Sequence, residues 1–268
     1  MARTHNADST GAWAAVRDAA RLREPDRYLA ALLAPRPVRN DLIAIAAFSS
    51  ELLRARDIVR DPMIGEIRLQ WWRDALQALG RGERTANPVA DALGAVMFAR
   101  NLAPALLEAP IEARSRELQA AADGAVPGES VAVAAEASLF KAALLILDVP
   151  ATPASDAACA DAGAAYGLAR GLAAASARQG NSAPAAALAH GAAMLLIRTQ
   201  AREALVAARQ RVAGLGPGAL VAFLPLVMVE PYLRAQERRH AEHPEHFAHI
   251  TPLRRIWRIW RANRPGRF

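Results

Sequence analysis

Cysteine occurs once, at Cys159, and lysine once, at Lys141. A single cysteine excludes an intrachain disulfide and fits a reducing compartment. Aromatic residues make up only 5% of the chain, and β-branched residues, which strands also favour, are sparse. Long apolar runs are missing too. No stretch reaches the roughly 18 uninterrupted apolar residues that a spanning helix needs. The nearest, ALVAFLPLVMV at 219–229, is short and carries Pro225. The opening MARTHNADSTGAW lacks the apolar core of a secretory signal. These absences together lead us to expect a soluble or peripheral protein, cytoplasmic, with any membrane contact on the inner face of the cytoplasmic membrane.

What is present is mostly alanine and arginine. The 268 residues are 53% hydrophobic and 22% charged, too apolar for a disordered chain and long enough to bury a core as one or two domains. Alanine is the best helix former. Proline and glycine divide the chain into helix-length segments, which predict helices over 26–34, 38–60, 63–80, 88–100, 104–122, 129–148, 154–176, 184–213, 218–238 and 251–262. Several carry apolar residues three and four apart, as in Leu42, Ile45, Ala46, Phe48 and Leu52. The connections are short, and no repeat or alternating apolar/polar segment argues for a sheet. The expectation is one all-α helical bundle of eight to ten helices. It divides into an N-terminal extension (1–25), a helical domain (26–238) and a basic C-terminal segment (239–268) whose terminal amphipathic helix packs on the same domain.

The net charge of +7 lies almost wholly in the stretch from Arg238 to the end, where eight arginines face only Glu242 and Glu245, a net of +6. A general nucleic-acid role therefore does not follow from the charge. In TPLRRIWRIWRANRPGRF a helix places Leu253, Ile256, Trp257 and Trp260 on one side, with Arg254, Arg255, Arg258 and Arg261 around the rest. Such a helix suits an anionic membrane surface, and it equally suits a bundle that buries the apolar side and solvates the arginines. In HAEHPEHFAH, His240, His243, His246 and His249 are three apart, but Pro244 interrupts the helix and the spacing is not a zinc motif, so no metal site is assigned. No Gly-rich phosphate loop or nucleophile setting is recognisable.

The segment from Asp26 to Leu76, with Arg39, Ala47-Phe48 and Arg68-Leu69-Gln70-Trp71-Trp72-Arg73, resembles the squalene/phytoene synthase family. GAAYGLARGL at 163–172 resembles the family's second motif region, and the likeness runs collinearly over most of the chain. It implies an isoprenoid (terpenoid) synthase type of helical bundle. The enzymes of the family ionise a prenyl diphosphate, using magnesium held by two aspartate clusters on facing helices. Magnesium wants hard oxygen donors, and aspartates four apart share one helix face. Against the family pattern F-C-R-x-x-D-D-x-x-D, this chain has Leu53 and Arg54 at the first two aspartates and keeps only Asp57. Against N-I-L-R-D-x-x-E-D, Ala174 and Arg178 stand at the aspartates. The resemblance is therefore to a degenerate branch, which includes a mitochondrial assembly factor for respiratory complex I. It implies a non-catalytic role in assembling that complex or another membrane complex, with a protein partner and no cofactor. The alternatives left open are an active prenyl-diphosphate transferase with an altered, magnesium-dependent site, and a prenyl-lipid binder.

Three groups of residues follow as candidates. Arg39, Arg54, Asp57, Tyr166, Arg170 and Arg178 are the ligand-binding candidates, since guanidinium pairs with phosphate bidentately. Asp57 and Asp61 are four apart, and pairing with neighbouring arginines is the expected state. Glu66, Arg68, Gln70, Trp72 and Arg73 form a candidate partner surface, because tryptophan and arginine concentrate at interface hot spots. Arg254, Arg255, Trp257, Arg258, Trp260 and Arg261 are the membrane candidates.

Overall fold

Proline opens most of the helices. Its fixed φ and missing N–H suit the first helical position, where no intrahelical partner exists anyway. In the computed structural model the helices are α1 (Ala2–Arg23), α2 (Pro25–Leu32), α3 (Arg36–Asp57), α4 (Pro62–Gly80), α5 (Pro88–Ala99), α6 (Pro104–Ala122), α7 (Glu129–Ile146), α8 (Pro153–Arg178), α9 (Pro184–Ala213), α10 (Leu220–Phe223), α11 (Val229–Glu242) and α12 (Pro252–Ala262). The structure describes residues 2–57, 62–122, 129–178, 184–242, 250–264 and 268. Side chains at 2–10, 55–57, 62, 121–122, 129–131, 174–178, 184–192 and 238–242 are outside the description. No strand occurs among the described residues.

Local caps finish what proline starts. The Asn87 side chain accepts from the Val89 and Ala90 N–H groups at the head of α5. At the head of α8, Thr152 and Ser155 cap each other: the Ser155 N–H donates to Thr152 Oγ1 (3.1 Å) and the Thr152 N–H to Ser155 Oγ (2.8 Å).

Two departures from the sequence reading have clear causes. The first 25 residues are predicted as an extension, yet α1 fills most of them and lies against α3, with Val16 and Ala20 buried one helical turn apart. Over 218–238 one helix is predicted, whereas the chain forms a 3₁₀ turn (Pro217–Ala219), α10, a second 3₁₀ turn (Leu224–Met228) and then α11. Pro225 cannot donate to the helical ladder and breaks it there. Among the described residues this is also the one segment apolar and long enough to cross a membrane by composition, but Ala222, Phe223, Leu224, Leu226, Met228 and Val229 are buried within the bundle.

The core has two main parts. Val16, Ile43, Phe48, Leu69, Trp72 and Leu107 build the first from α1, α3, α4 and α6. Phe140, Tyr166, Leu205 and Phe223 build the second from α7, α8, α9 and α10, with Phe140 and Phe223 stacked at 5.5 Å. Helices α7 and α8 run so close that a Cβ on Gly163 would sit 2.6 Å from the Ala137 amide nitrogen and the Val133 carbonyl. Glycine is required there for space rather than for its backbone freedom.

Candidate functional site

Between the two parts of the core lies a set of charges that water scarcely reaches. The connection after α1 brings Glu24 to the start of α2, whose first turn supplies Asp26 and Arg27; all three are buried. Helix α7 contributes Glu136, and α8 contributes Tyr166 and Arg170 one turn apart. Burying a charge is tolerable only where it is paired and hydrogen-bonded, and here the pairing is nearly complete. Arg27 donates to Glu136 at 2.6 Å and to Glu24 at 3.2 Å. Arg170 donates to Glu24 at 2.8 Å and to Glu136 at 3.4 Å. Ser49 Oγ donates to the second oxygen of the pair on Glu24, Oε1, at 2.7 Å. The Tyr166 ring lies beneath both guanidinium groups, 5.1 Å from Arg27 and 5.2 Å from Arg170.

A second knot adjoins the first. Tyr166 and Tyr232 both donate to Asp26 Oδ2, at 2.8 and 2.7 Å. Arg255, arriving from α12, lies 2.8 Å from Asp26 Oδ1 and donates to the Tyr232 hydroxyl at 3.3 Å. Three carboxylates thus meet three guanidinium groups.

The electrostatics follow from this geometry. Burial resists ionisation of Glu24, but Arg170 and Arg27 overcome it and hold its carboxyl at about 2. Burial and the Asp26 carboxylate push the Tyr166 phenol well above its ordinary value, and the same causes raise Tyr232. Burial lifts the Cys159 thiol to about 12, so it stays protonated and has no nucleophilic character.

Next to Arg170 is a cavity of about 220 Å³ with Leu53, Arg114, Glu117, Glu136, Arg170 and Tyr232 in its wall. Its charges are also matched to one another, Arg114 to Glu117 at 2.7 Å and Arg170 to Glu136. Magnesium needs oxygen donors that are not already neutralised. The carboxylates of this cavity are held by guanidinium groups, and among the described residues no three His, Cys, Asp or Glu side chains gather as a metal-binding set. The residues described here do not fit a magnesium cluster.

Of the ligand-binding candidates among the described side chains, Arg170 and Tyr166 belong to this network, and of these candidates Arg170 alone lines the cavity. Arg39 does not line it; it donates to the Ala34 carbonyl at 3.0 Å and braces the turn before α3. Arg54 points to the outside, 3.5 Å from Glu51. It is Leu53 whose side chain forms cavity wall, because neighbouring helical positions face about 100° apart. The side chains of Asp57 and Arg178, like residue Asp61, lie outside the described residues, as do the His240 side chain and residues 243–249 with the rest of the histidine cluster.

The expected partner surface is rearranged. Trp72 is 2% exposed and packs edge-on against Phe48 at 5.1 Å; it is core, while Trp71 is 40% exposed. Glu66 accepts from Arg73 and from Ser115 of α6, both at 2.8 Å, so these residues join α4 to α6. Gln70 donates to Asp74. Arg68 is half-buried in the wall of a groove of about 410 Å³, with Arg54, Ile64, Ile67 and Trp71 around it. The apolar members of that groove repeat at helical spacing, but the flanking charges rather than the exposed aliphatic residues drew attention in the sequence.

Sequence reading missed Glu24, Asp26, Arg27, Ser49, Glu136 and Tyr232. One signal existed: Glu136 is a lone charge inside VAVAAEASLF, where only a buried partner makes a carboxylate tolerable.

This arrangement bears on what the chain is similar to. Residues 20–133 match the squalene/phytoene synthase family model. The matched stretch begins inside α1 and runs into α7, so it carries Glu24, Arg27 and Leu53 but ends before Glu136. The fold agrees with the squalene/phytoene synthase likeness: the crystal structure of squalene synthase HpnC from Alicyclobacillus acidocaldarius superposes with a TM-score of 0.61, covering 88% of this chain and 96% of that one at 18% identity. Among curated proteins, NADH dehydrogenase (ubiquinone) complex I, assembly factor 6, is 30% identical over 98 residues in Homo sapiens and 32% in Rattus norvegicus. Those matches cover 37% of this chain and span 29% of the relatives' length.

Proposed function

We propose that this chain is a non-catalytic protein of isoprenoid-synthase fold that acts, through a protein partner and beside the cytoplasmic membrane, in assembling respiratory complex I or a similar membrane complex. The observation that carries the reading is the self-neutralised cavity. Head-to-head prenyl synthesis needs a site that stabilises departing pyrophosphate. Here Leu53 stands in the cavity wall at a position where the family pattern has aspartate, and the guanidinium groups of that wall are engaged, Arg170 with Glu24 and Glu136 and Arg114 with Glu117. Ligand pockets usually measure about 300–1,000 Å³, and 220 Å³ falls short of that. The likeness to the complex I assembly factors supports the assembly role, and the groove on α4 offers a partner Ile64, Ile67 and Trp71 beside Arg54 and Arg68.

The first test is pyrophosphate release by the purified chain with farnesyl or geranylgeranyl diphosphate, with and without magnesium. The expected result is no release above an Asp57→Ala variant, and magnesium-dependent release would overturn the non-catalytic reading. The second is deletion of the gene in its own organism. Assembled complex I should fall, and should be restored by the wild-type chain but not by Ile67→Glu. Unchanged complex I would exclude the assembly role.

A further inference from the structure

Helix α12 is oriented the opposite way to an ordinary surface helix. An amphipathic helix normally buries its apolar stripe. Here Leu253 is 80% exposed, Ile256 47%, Trp257 51% and Trp260 46%, and these four share one side of the helix at three- and four-residue spacing. The inner side is held by Ile259 and Ala262, packed near Ala30, Leu224 and Met228, and by the Arg255–Asp26 ion pair. Arg255, one of the membrane candidates, is therefore an internal anchor that fixes which side faces out.

The charges beside the exposed stripe are available. Arg254 and Arg261 are exposed and Arg258 half-buried along one flank, and among the described residues no carboxylate forms an ion pair with any of the three. Residues 250–268 contain no Asp or Glu at all. Burial and crowding by Arg254, Arg234 and Arg261 pull Arg258 below its ordinary pKa against a smaller opposing pull from Glu230, so a further anion would relieve it. Arg261 and Arg264 stack on the Trp257 and Trp260 rings at 5.0 and 3.9 Å, placing cations and indoles at the same level.

We infer that the outer face of α12 docks on the surface of a bilayer containing acidic phospholipid, with Leu253, Ile256, Trp257 and Trp260 entering the headgroup region and Arg254, Arg258 and Arg261 meeting lipid phosphates. The face is an exposed apolar stripe of a helix flanked by arginines, a pattern that lies in the plane of a bilayer surface. Tryptophan and arginine are the residues that settle at that boundary. Self-association through this face would set the same arginines against one another, and exposed Leu253 and Ile256 offer nothing to a nucleic acid. The inference stands on α12 alone and holds whether or not the assembly role does.

The test is co-sedimentation of the full chain with vesicles of phosphatidylcholine alone and of phosphatidylcholine with phosphatidylglycerol, at low and high salt. Binding is expected only to the second, weakened by salt. Trp257→Ala/Trp260→Ala should abolish it, and Arg254→Glu/Arg261→Glu should weaken it on the order of tenfold or more, since each basic residue near an acidic bilayer adds about a factor of five. All these side chains face solvent, so circular dichroism should match the wild type. Equal binding to both vesicles, or binding that survives both double variants, would overturn the inference. So would a dimer in sedimentation velocity that dissolves in Trp257→Ala/Trp260→Ala, which would assign the face to a second copy of the chain.

Discussion

Arg170 and Arg261 are the same residue type in one arginine-rich chain, and the fold uses them in opposite ways. Arg170 reaches two glutamates within 3.4 Å and sits over a tyrosine ring. Arg261 lies at the surface against Trp257, without an acidic partner among the described residues. A guanidinium whose donors are committed to internal carboxylates holds the bundle together and has little left for a ligand. One without such partners contributes almost nothing to stability and remains available to a partner of opposite charge. The difference is the ground on which the arginine-lined cavity is proposed to be no phosphate site and the outer face of α12 to be a docking surface.

The comparison is most sharply tested at Arg27. Replacing it with alanine leaves Glu24 and Glu136 buried with half their partners, which should cost about 3–5 kcal/mol in chemical denaturation. A loss of less than about 1 kcal/mol, the scale of an exposed pair, would break the distinction. Gly163→Val is next. The added side chain collides with α7 backbone, and overpacking of this kind typically costs about 1–3 kcal/mol; the melting temperature reads it. Acid comes third. The Glu24 carboxyl titrates near 2 in the folded chain against 4.5 ordinarily, so its contribution is complete above 4.5 and is lost as pH falls through 2. Urea denaturation between those values should show declining stability, and Glu24→Gln should flatten that part of the profile. Smallest of all, Arg254→Ala or Arg261→Ala should leave stability within about 0.5 kcal/mol of wild type. A larger loss would mean that α12 spends its outer arginines internally after all.

The fold was legible because its signals are local. Pro62, Pro88, Pro104 and Pro184 mark helix starts within a residue of where they are found, and the alanine-rich segments between them leave little choice but helix. The break at Pro225 was visible as a proline but not as two 3₁₀ turns, since the surrounding apolar run reads as one continuous helix. The network was not legible. Arg27 and Glu136 are 109 residues apart and Arg170 and Glu24 are 146 apart, so no spacing rule joins them. Adjacent tryptophans carry no mark of which faces in, and Trp72 rather than Trp71 is the core residue because Phe48 lies on its side of α4. For α12 the sequence left two orientations open. The observed orientation is set by a distant carboxylate, Asp26, that captures Arg255, together with Ile259 and Ala262 packed on the inner side.

The balanced set of Glu24, Asp26 and Glu136 with Arg27, Arg170 and Arg255 also constrains how this protein can change over generations. Losing any one member strands a charge, whereas exchanging an acid and its base together for apolar residues of similar volume is close to neutral. Single-step drift at these six positions is therefore blocked, and viable routes run through paired replacements. Related chains should keep the set whole or lack matched halves of it, so that its presence or absence sorts them into lineages independently of what their cavities do.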